Sequence, residues 1–571
     1  DCYGSIIFMY ASIKLCKRGS FSCRWRLPHA VTHMNDATDY VVVGGGASGC
    51  AVTSALLKNN YDVSLFEAGY SHHNFLLDVP AGFFKLVNDS KYATYHKTAP
   101  QAHLGGRENI VPQGNVLGGG TSINAQVYMR GRPQDYNEWH EILRVNNDTV
   151  GWAWSDLLPY FKNMENNNRL ENEYHGKSGP LRVSDSSHIN KLTNDFIKTV
   201  QELGVPLTDD FNGKAQHGVG LYQFMNRKGK RSSAAYAFIE PEINNSNLHL
   251  KLNTKVDKII IKDNKAIGVE YRNNKGELNK KFANKEVVVA AGSFITPKLL
   301  MLSGIGNADE LKLHDIGCIA DLPGVGENLI DHPECPIIAK ANGAYGYYKQ
   351  GKGWRMIKNG LQFLLFGTGP VNSTGVEAGA FINPLSFEDL PSIQAFFVPS
   401  IYMNSDTIGL IDDAYGMSIT TVVTKPLSRG KVKLKSANPI DRPIIELNLL
   451  KHEKDLETMM AGQRFFLNAF KQGALGKKVK EILIPDVRDL DEAKLEAHCR
   501  KFVRTNYHPS GTAKMGADSD NMSVLDSKMR VRGIENLRVC DLSVLPNINS
   551  GNTAAPAMML GLRCGDLILN S

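Results

Sequence analysis

At 571 residues the chain is too long for a single compact core, so two domains, successive or interleaved, are expected. Its 42% hydrophobic and 22% charged content fits an ordinary soluble enzyme, and no uninterrupted apolar run reaches the roughly 18–20 residues of a bilayer span, so no integral membrane segment is expected. The formal charge of +7 carries little weight: Lys14, Lys17, Arg18, Arg24 and Arg26 against Asp1 place +4 of it in residues 1–33, and the near-balanced remainder gives no reason to expect a nucleic-acid partner.

Residues 1–33 read as a non-native or unstructured leader. Their Arg-rich, acid-poor composition is also that of a transit peptide, so the expected cytoplasmic location leaves organelle targeting open. The nine cysteines form no C-x-x-C pair and no regular spacing, which points to reduced thiols rather than a disulfide frame or a metal site.

A nucleotide-binding unit opens at Asp39 with DYVVVGGGASG and continues to SLFEAG, ending at Gly69. The apolar runs Tyr40–Val43 and Val63–Phe66 predict two strands around a helix from Ala47 to about Lys58, with Gly44, Gly46 and Gly49 in the G-x-G-x-x-G pattern. Gly44 permits the tight turn, Gly46 lets a pyrophosphate approach bare backbone, and Gly49 lets the helix pack close to the sheet. The helix start at Ala47 and Ser48 offers free N–H groups and a positive dipole end to phosphates. Glu67, followed by Ala68, can accept hydrogen bonds from both ribose hydroxyls, which disfavours a 2′-phosphorylated cofactor. The motif alone fits NAD or FAD.

Downstream, Ser71–Val111 is polar and irregular, long for a connection and therefore read as functional or lid-like. Lys162–Lys177, with three successive asparagines, reads as an exposed link. Strands are expected at His249–Leu252, Val256–Ile261, Ala266–Tyr271, Glu286–Ala290, Ile419–Thr424 and Lys431–Leu434, and helices at Lys191–Glu202 and Glu453–Phe470. The mixture implies an α/β nucleotide domain with an α+β domain inserted in it.

Several ordered blocks resemble the glucose–methanol–choline (GMC) oxidoreductases, a family of FAD enzymes acting mainly on alcohols. Gly114–Asn137 matches one family signature through LGGGTSIN at Leu117–Asn124 and through Tyr128, Gly131 and Asn137; GSFITPKLLMLSGIG at Gly292–Gly306 matches a second. DLPGVGENLIDHP at Asp321–Pro333, YHPSGTAKMG at Tyr507–Gly516 and LRVCDLSVLPNINSGNTAAPA at Leu537–Ala557 extend the resemblance from Asp39 to the C-terminus.

The resemblance implies a Rossmann-like FAD-binding domain made of 36–155, 210–332 and 505–571, with an inserted α+β substrate-binding domain of 156–209 and 333–504. It also implies cofactor contacts at Gly118, Gly119, Thr121, Asn124, Ala125, Val127, Val256, Ala291, Gly292, Asp541, Asn552 and Thr553. The run Gly118–Gly120 is expected to bring bare N–H groups to the pyrophosphate or the flavin edge. Ile123 stands where some members carry a histidine bonded covalently to the flavin; an alkyl group cannot form that bond, so noncovalent FAD is expected. Two positions depart from the pattern. Gln113 and Asn115 are neutral where a basic residue is usual beside Gly114, and Gly561 stands near the place of a common acidic residue in the last helix.

His508 matches the family's active-site histidine. An imidazole of pKa near ~6.5 can take an alcohol's proton at neutral pH while hydride leaves the adjacent carbon for flavin N5. Asn552 matches the position of its histidine or asparagine partner. Its amide can donate to the substrate oxygen, a contribution of about 3–4 kcal/mol by analogy with oxyanion donors, and it is also placed to cap the helix that begins at Ala554. The expected activity is FAD-dependent oxidation of an alcohol to an aldehyde or ketone, with O2 or a quinone-like compound as electron acceptor. The alternative is a flavin-bearing, hydroxynitrile-lyase-like enzyme without net redox. Neither the alcohol nor the oligomeric state is written in the sequence. Ala395–Phe397 and Tyr345–Tyr348 are candidate pocket walls, and no aromatic cage with an acid, of the kind choline would need, can be placed.

Overall fold

A computed structural model describes residues 36–144, 150–402 and 414–570; the leader, 1–33, lies outside them. Within the unit Ala37–Ser571 the runs rich in β-branched residues form two seven-stranded sheets. In the first, β1 (Ala37–Val43) lies between β2 (Val63–Phe66) and Leu278–Val289 and is parallel to both. Leu248–Lys251 joins β2 and Leu537–Val539 joins Leu278–Val289, also in parallel, while Lys265–Arg272 and Lys255–Lys262 continue the sheet antiparallel. Val41–Val43 and all of β2 are buried, as strands of a parallel sheet covered on both faces must be.

The helix α1 (Ala47–Leu57) crosses from β1 to β2 and packs against the C-terminal helix Ala554–Leu569. Glycines make that approach possible. A Cβ on Gly561 would lie 2.3 Å from the Ser48 carbonyl oxygen, and one on Gly565 would lie 2.6 Å from Ala55 Cβ. Close helix packing thus accounts for a glycine where an acid is common.

The second sheet runs Val479–Ile484, Pro333–Ala341, Gly416–Val423, Ile393–Val398, Ala378–Ile382 and Gly218–Leu221, antiparallel throughout, with Arg504–Thr505 paired to Pro333–Ala341. Helices Lys191–Glu202 and Glu453–Lys471 cover one face, with Phe196 stacked on Phe397 of the sheet and Phe466 on Phe196. The period of two along Ile393–Val398 turns Gln394, Phe396 and Val398 to the opposite face. The architecture is the expected Rossmann-like α/β domain with an inserted α+β domain.

The structure corrects three details. Gly218–Leu221, placed by the sequence reading with the nucleotide part, pairs into the second sheet. Ser71–Val111 is not irregular throughout, since Ala93–Lys97 pairs antiparallel with Ile110–Gly114. The supposed exposed link 162–177 holds a buried ionic network: Arg130 pairs with Glu165, and His175 bridges Glu165 Oε1 (2.9 Å) and Asp210 Oδ2 (3.0 Å). Burial works against charge on His175, yet its bonds to Asp210 and Glu165 hold its pKa above the ordinary value. Glu165, Asn167 and His175 owe their polarity to mutual satisfaction in the interior, while Asn168, Arg169, Glu171, Asn172, Glu173 and Lys177 are exposed as expected.

Candidate active site

The carboxyl ends of β1, β2 and Leu278–Val289 deliver Gly44, Glu67 and Ala290 to one edge of the first sheet, where open α/β sheets bind ligands. Gly44 has φ +105°, and a Cβ there would meet the Ala290 carbonyl at 2.3 Å; one on Gly49 would meet the Gly44 carbonyl at 1.9 Å. Gly46 is different, because the nearest atom to its Cβ position is Ala290 O at 4.0 Å. Backbone geometry requires Gly44 and Gly49; Gly46 leaves open cavity. Glu67 accepts from Gly45 N (2.9 Å) and Gly69 N (2.7 Å), bracing the turn, and burial raises its pKa. The start of α1 has no side-chain cap, so its first N–H groups are open to an anion.

One cavity of about 650 Å³ is lined both by Gly44, Gly46 and Glu67 and by His508 and Asn552. The tautomer of His508 follows from its neighbours. His332 Nε2 lies 2.9 Å from the Thr424 carbonyl, which only accepts, so that nitrogen carries the hydrogen. Burial lowers the His332 pKa to about 4, the ring is neutral, and its Nδ1 is a bare lone pair. His508 Nδ1, 2.9 Å from that lone pair, donates to it, which leaves His508 Nε2 unprotonated. Burial, and then His332, push the His508 pKa well below the ordinary value expected from sequence.

A second relay orients Asn552. The Tyr222 hydroxyl donates to the Ala395 carbonyl (3.0 Å), and Gln394 Nε2 donates to the Tyr222 oxygen (3.3 Å) and to Asn552 Oδ1 (3.2 Å). Asn552 Nδ2 is thereby turned to His508 Nε2, 3.5 Å away. That distance is the outer limit of a hydrogen bond, so a lone pair and an N–H stand side by side. Asp331, whose burial raises its pKa to about 7, accepts from His508 N (3.0 Å) and from Thr505 Oγ1. Tyr507, just before His508, has φ +63°, an outlier for a bulky residue and typical of a site where the surroundings dictate the backbone. The capping role considered for Asn552 is not found: Thr553 is the N-cap residue, without a side-chain bond, and the open helix start borders the cavity.

Models of the GMC oxidoreductase family match residues 38–334 and 426–561. The chain belongs to the GMC oxidoreductase family. An alcohol dehydrogenase (acceptor) of Pseudomonas putida is 36% identical over 538 residues, 93% of this chain and 95% of that protein. The mitochondrial choline dehydrogenase of Mus musculus is 35% identical over 541 residues, covering 93% and 89%. Among solved structures, pyridoxine 4-oxidase from Mesorbium loti is similar with a TM-score of 0.83 at 26% identity, covering 93% of this chain and 99% of that one. A formate oxidase of Aspergillus oryzae RIB40, studied for FAD modification, gives 0.84 at 26% identity, with 94% and 98% covered.

GMC oxidoreductases bind FAD, and the residues present fit that group. Gly46 and the uncapped α1 offer bare backbone to a pyrophosphate. In the cavity wall, both amide atoms of buried Gln126 and Nδ1 of buried His96 have no hydrogen-bond partner among the described residues, as expected where a polar ligand completes the site. Lys255, Lys298 and Arg442 also line the cavity and bring positive charge that Gln113 and Asn115 lack. Burial, followed by Lys255, lowers the Lys298 pKa to about 8.

All the expected cofactor residues except Gly49 and Gly118 line this cavity. Those two act on the backbone. Gly118 (φ +89°) donates its N–H to Gly45 O and Gly119 donates to Val116 O, each at 2.7 Å, so the glycine run is less bare than expected. Of the candidate walls, Phe396 lines the cavity while Phe397 and Tyr345–Tyr348 do not. Sequence reasoning missed Asp331 and His332, although both stand in a block it singled out, and Gln394, which lies in a plain strand. It also missed Arg231, a fully buried cation that donates to Thr121 O (3.1 Å), Asn124 O (2.7 Å) and Asn124 Oδ1 (2.9 Å) and so clamps the turn carrying Asn124.

Proposed function

We propose that the protein oxidises a neutral alcohol with an apolar body to the aldehyde or ketone, using noncovalently held FAD. The observation that carries the reading is the bare His508 Nε2 facing the Asn552 amide across 3.5 Å, in the cavity it shares with the nucleotide turn. FAD, when bound, supplies the acceptor for the hydride that leaves the carbinol carbon. The chain does the rest. The alcohol hydroxyl donates to His508 Nε2 while its oxygen accepts from Asn552 Nδ2, and His508 takes the proton as the carbonyl forms. A base of lowered pKa is a weak one, so stabilisation of the developing alkoxide by Asn552 matters more than it would in water. Ile123, in the cavity wall, has no atom that could bond a flavin ring. The acceptor that reoxidises the flavin is O2 or a quinone-like compound.

The proposed substrate class is supported by Glu334, the carboxylate two residues after His332. It lines the cavity but is held by Arg504 through Nε (2.7 Å) and Nη2 (2.5 Å), with Tyr402 against the guanidinium. A carboxylate already paired offers little to a quaternary ammonium, and the nearby walls Val376, Phe396 and Val398 are apolar. This separates the reading from the substrate in the name of the choline dehydrogenase relatives. Anaerobic mixing of the holoprotein with a series of primary alkanols and with choline tests it. Alkanols are expected to bleach the flavin, and choline to be poorer in kcat/KM by at least about a hundredfold. Flavin left oxidised by every alcohol would favour the lyase alternative, and choline as the best substrate would overturn the substrate class.

A further inference from the structure

The helix Gly353–Phe366 turns its apolar side outward. Trp354, Ile357, Leu361, Leu364 and Leu365 recur at helical spacing as one stripe, the pattern of a core-facing helix, yet these side chains together with Met356 and Phe366 are 52–72% exposed. The face against the protein carries Asn359, Gln362 and Phe363. Asn359 Nδ2 donates to Gln350 O (3.0 Å) and Gln362 Nε2 to Thr368 Oγ1 (3.3 Å). Lys349, Lys352, Arg355 and Lys358 are exposed around the stripe, and no Asp or Glu occurs between Glu334 and Glu377.

We propose that this helix docks the protein on an anionic lipid bilayer, with the stripe in the headgroup–acyl boundary and Lys349, Arg355 and Lys358 on lipid phosphates. At ~1.5 Å per residue its 14 residues span about 21 Å, short of the ~30 Å hydrocarbon core, so it lies in the interface rather than crossing it. A second copy of the chain is a poorer occupant: an isologous pair would set these basic residues against their own copies with no acid in the segment to answer them. The chain leaves the helix at Gly367 and enters the cavity wall at Val376, beside Gly375, which packs under Phe84. Docking therefore brings the segment that leads into the cavity wall toward a lipid surface, where apolar alcohols and quinone-type acceptors concentrate. That consequence rests on the proposed activity, whereas docking does not.

Flotation of the holoprotein with phosphatidylcholine vesicles, with and without phosphatidylserine and at low and high salt, tests the proposal. The protein is expected to float with the anionic vesicles and to be released by salt. Joint substitution Leu361→Gln, Leu364→Gln and Leu365→Gln should lower vesicle affinity at least about tenfold, with flavin content and turnover of a water-soluble alcohol unchanged. No flotation, or equal flotation of the folded variant, overturns the proposal. So does a wild-type dimer that ignores vesicles and is dispersed by the variant, which would assign the face to a second copy. A protein that floats but leaves every alcohol unoxidised would keep the docking and sink only the activity.

Discussion

His508 can serve as a base only with Nδ1 protonated and Nε2 bare, and His332, itself fixed by the Thr424 carbonyl, selects that form. In the proposed mechanism His332 is thus a positioning residue. His332→Leu should lower kcat/KM by about 10²–10⁴-fold, the range for general-base and tautomer effects, while flavin content stays intact. His332→Asn, whose Oδ1 can accept from His508 Nδ1–H, should recover part of the loss; a Leu variant as active as wild type contradicts the assignment. The direction of the His508 shift gives a pH prediction. In the proposed mechanism the neutral ring is the working form, and its pKa is depressed, so the acid limb of kcat/KM should lie below the ordinary value of ~6.5. The sign for stability agrees: a depressed histidine binds fewer protons folded than unfolded, so stability is lost as pH falls from that ordinary value toward the native one. An acid limb above pH 6.5, traced to this histidine, would contradict the burial that sets the shift.

The turn between β1 and α1 separates two uses of glycine. Gly49 is needed by the fold, because a Cβ would stand 1.9 Å from a backbone oxygen; the fold does not require Gly46, where a Cβ would meet nothing nearer than 4.0 Å, and its proposed role is to admit a ligand. Gly49→Ala should destabilise the protein by about 1–3 kcal/mol in thermal melts. Gly46→Ala should leave stability of the FAD-free protein within about 0.5 kcal/mol yet weaken FAD in a titration. The reverse pattern would break the nucleotide reading. The same contrast shows what a sequence can reveal. Turn glycines, β-branched strands and the C-terminal helix are legible because local sterics and burial dictate them. Gly218–Leu221 is not, since a glycine-rich four-residue strand is recognised only by the partner it meets, Ala378–Ile382. The helix Gly353–Phe366 has a plain apolar stripe, but periodicity shows only that a face exists and not whether it points to a core.

Taken together, the two sheets build the site from opposite sides. The first supplies the nucleotide turn, and the second supplies both the apolar wall and the two anchors that orient the reacting pair. Thr424 follows the strand Gly416–Val423, and Ala395 and Gln394 belong to its neighbour Ile393–Val398. His508 and Asn552 stand in motif blocks and were visible in the sequence. Their orientation was not, because it depends on residues such as Gln394, 158 positions away from Asn552 and joined to it only by the register of a folded sheet. The inserted domain therefore sets the protonation geometry of the site as well as its walls. Anaerobic stopped-flow reduction of the bound flavin by a saturating alcohol tests this most directly, comparing wild type with His508→Ala at matched flavin occupancy. The account predicts an unchanged flavin spectrum and a reduction rate lower by about 10²–10⁴-fold; a variant that reduces its flavin at the wild-type rate would contradict it.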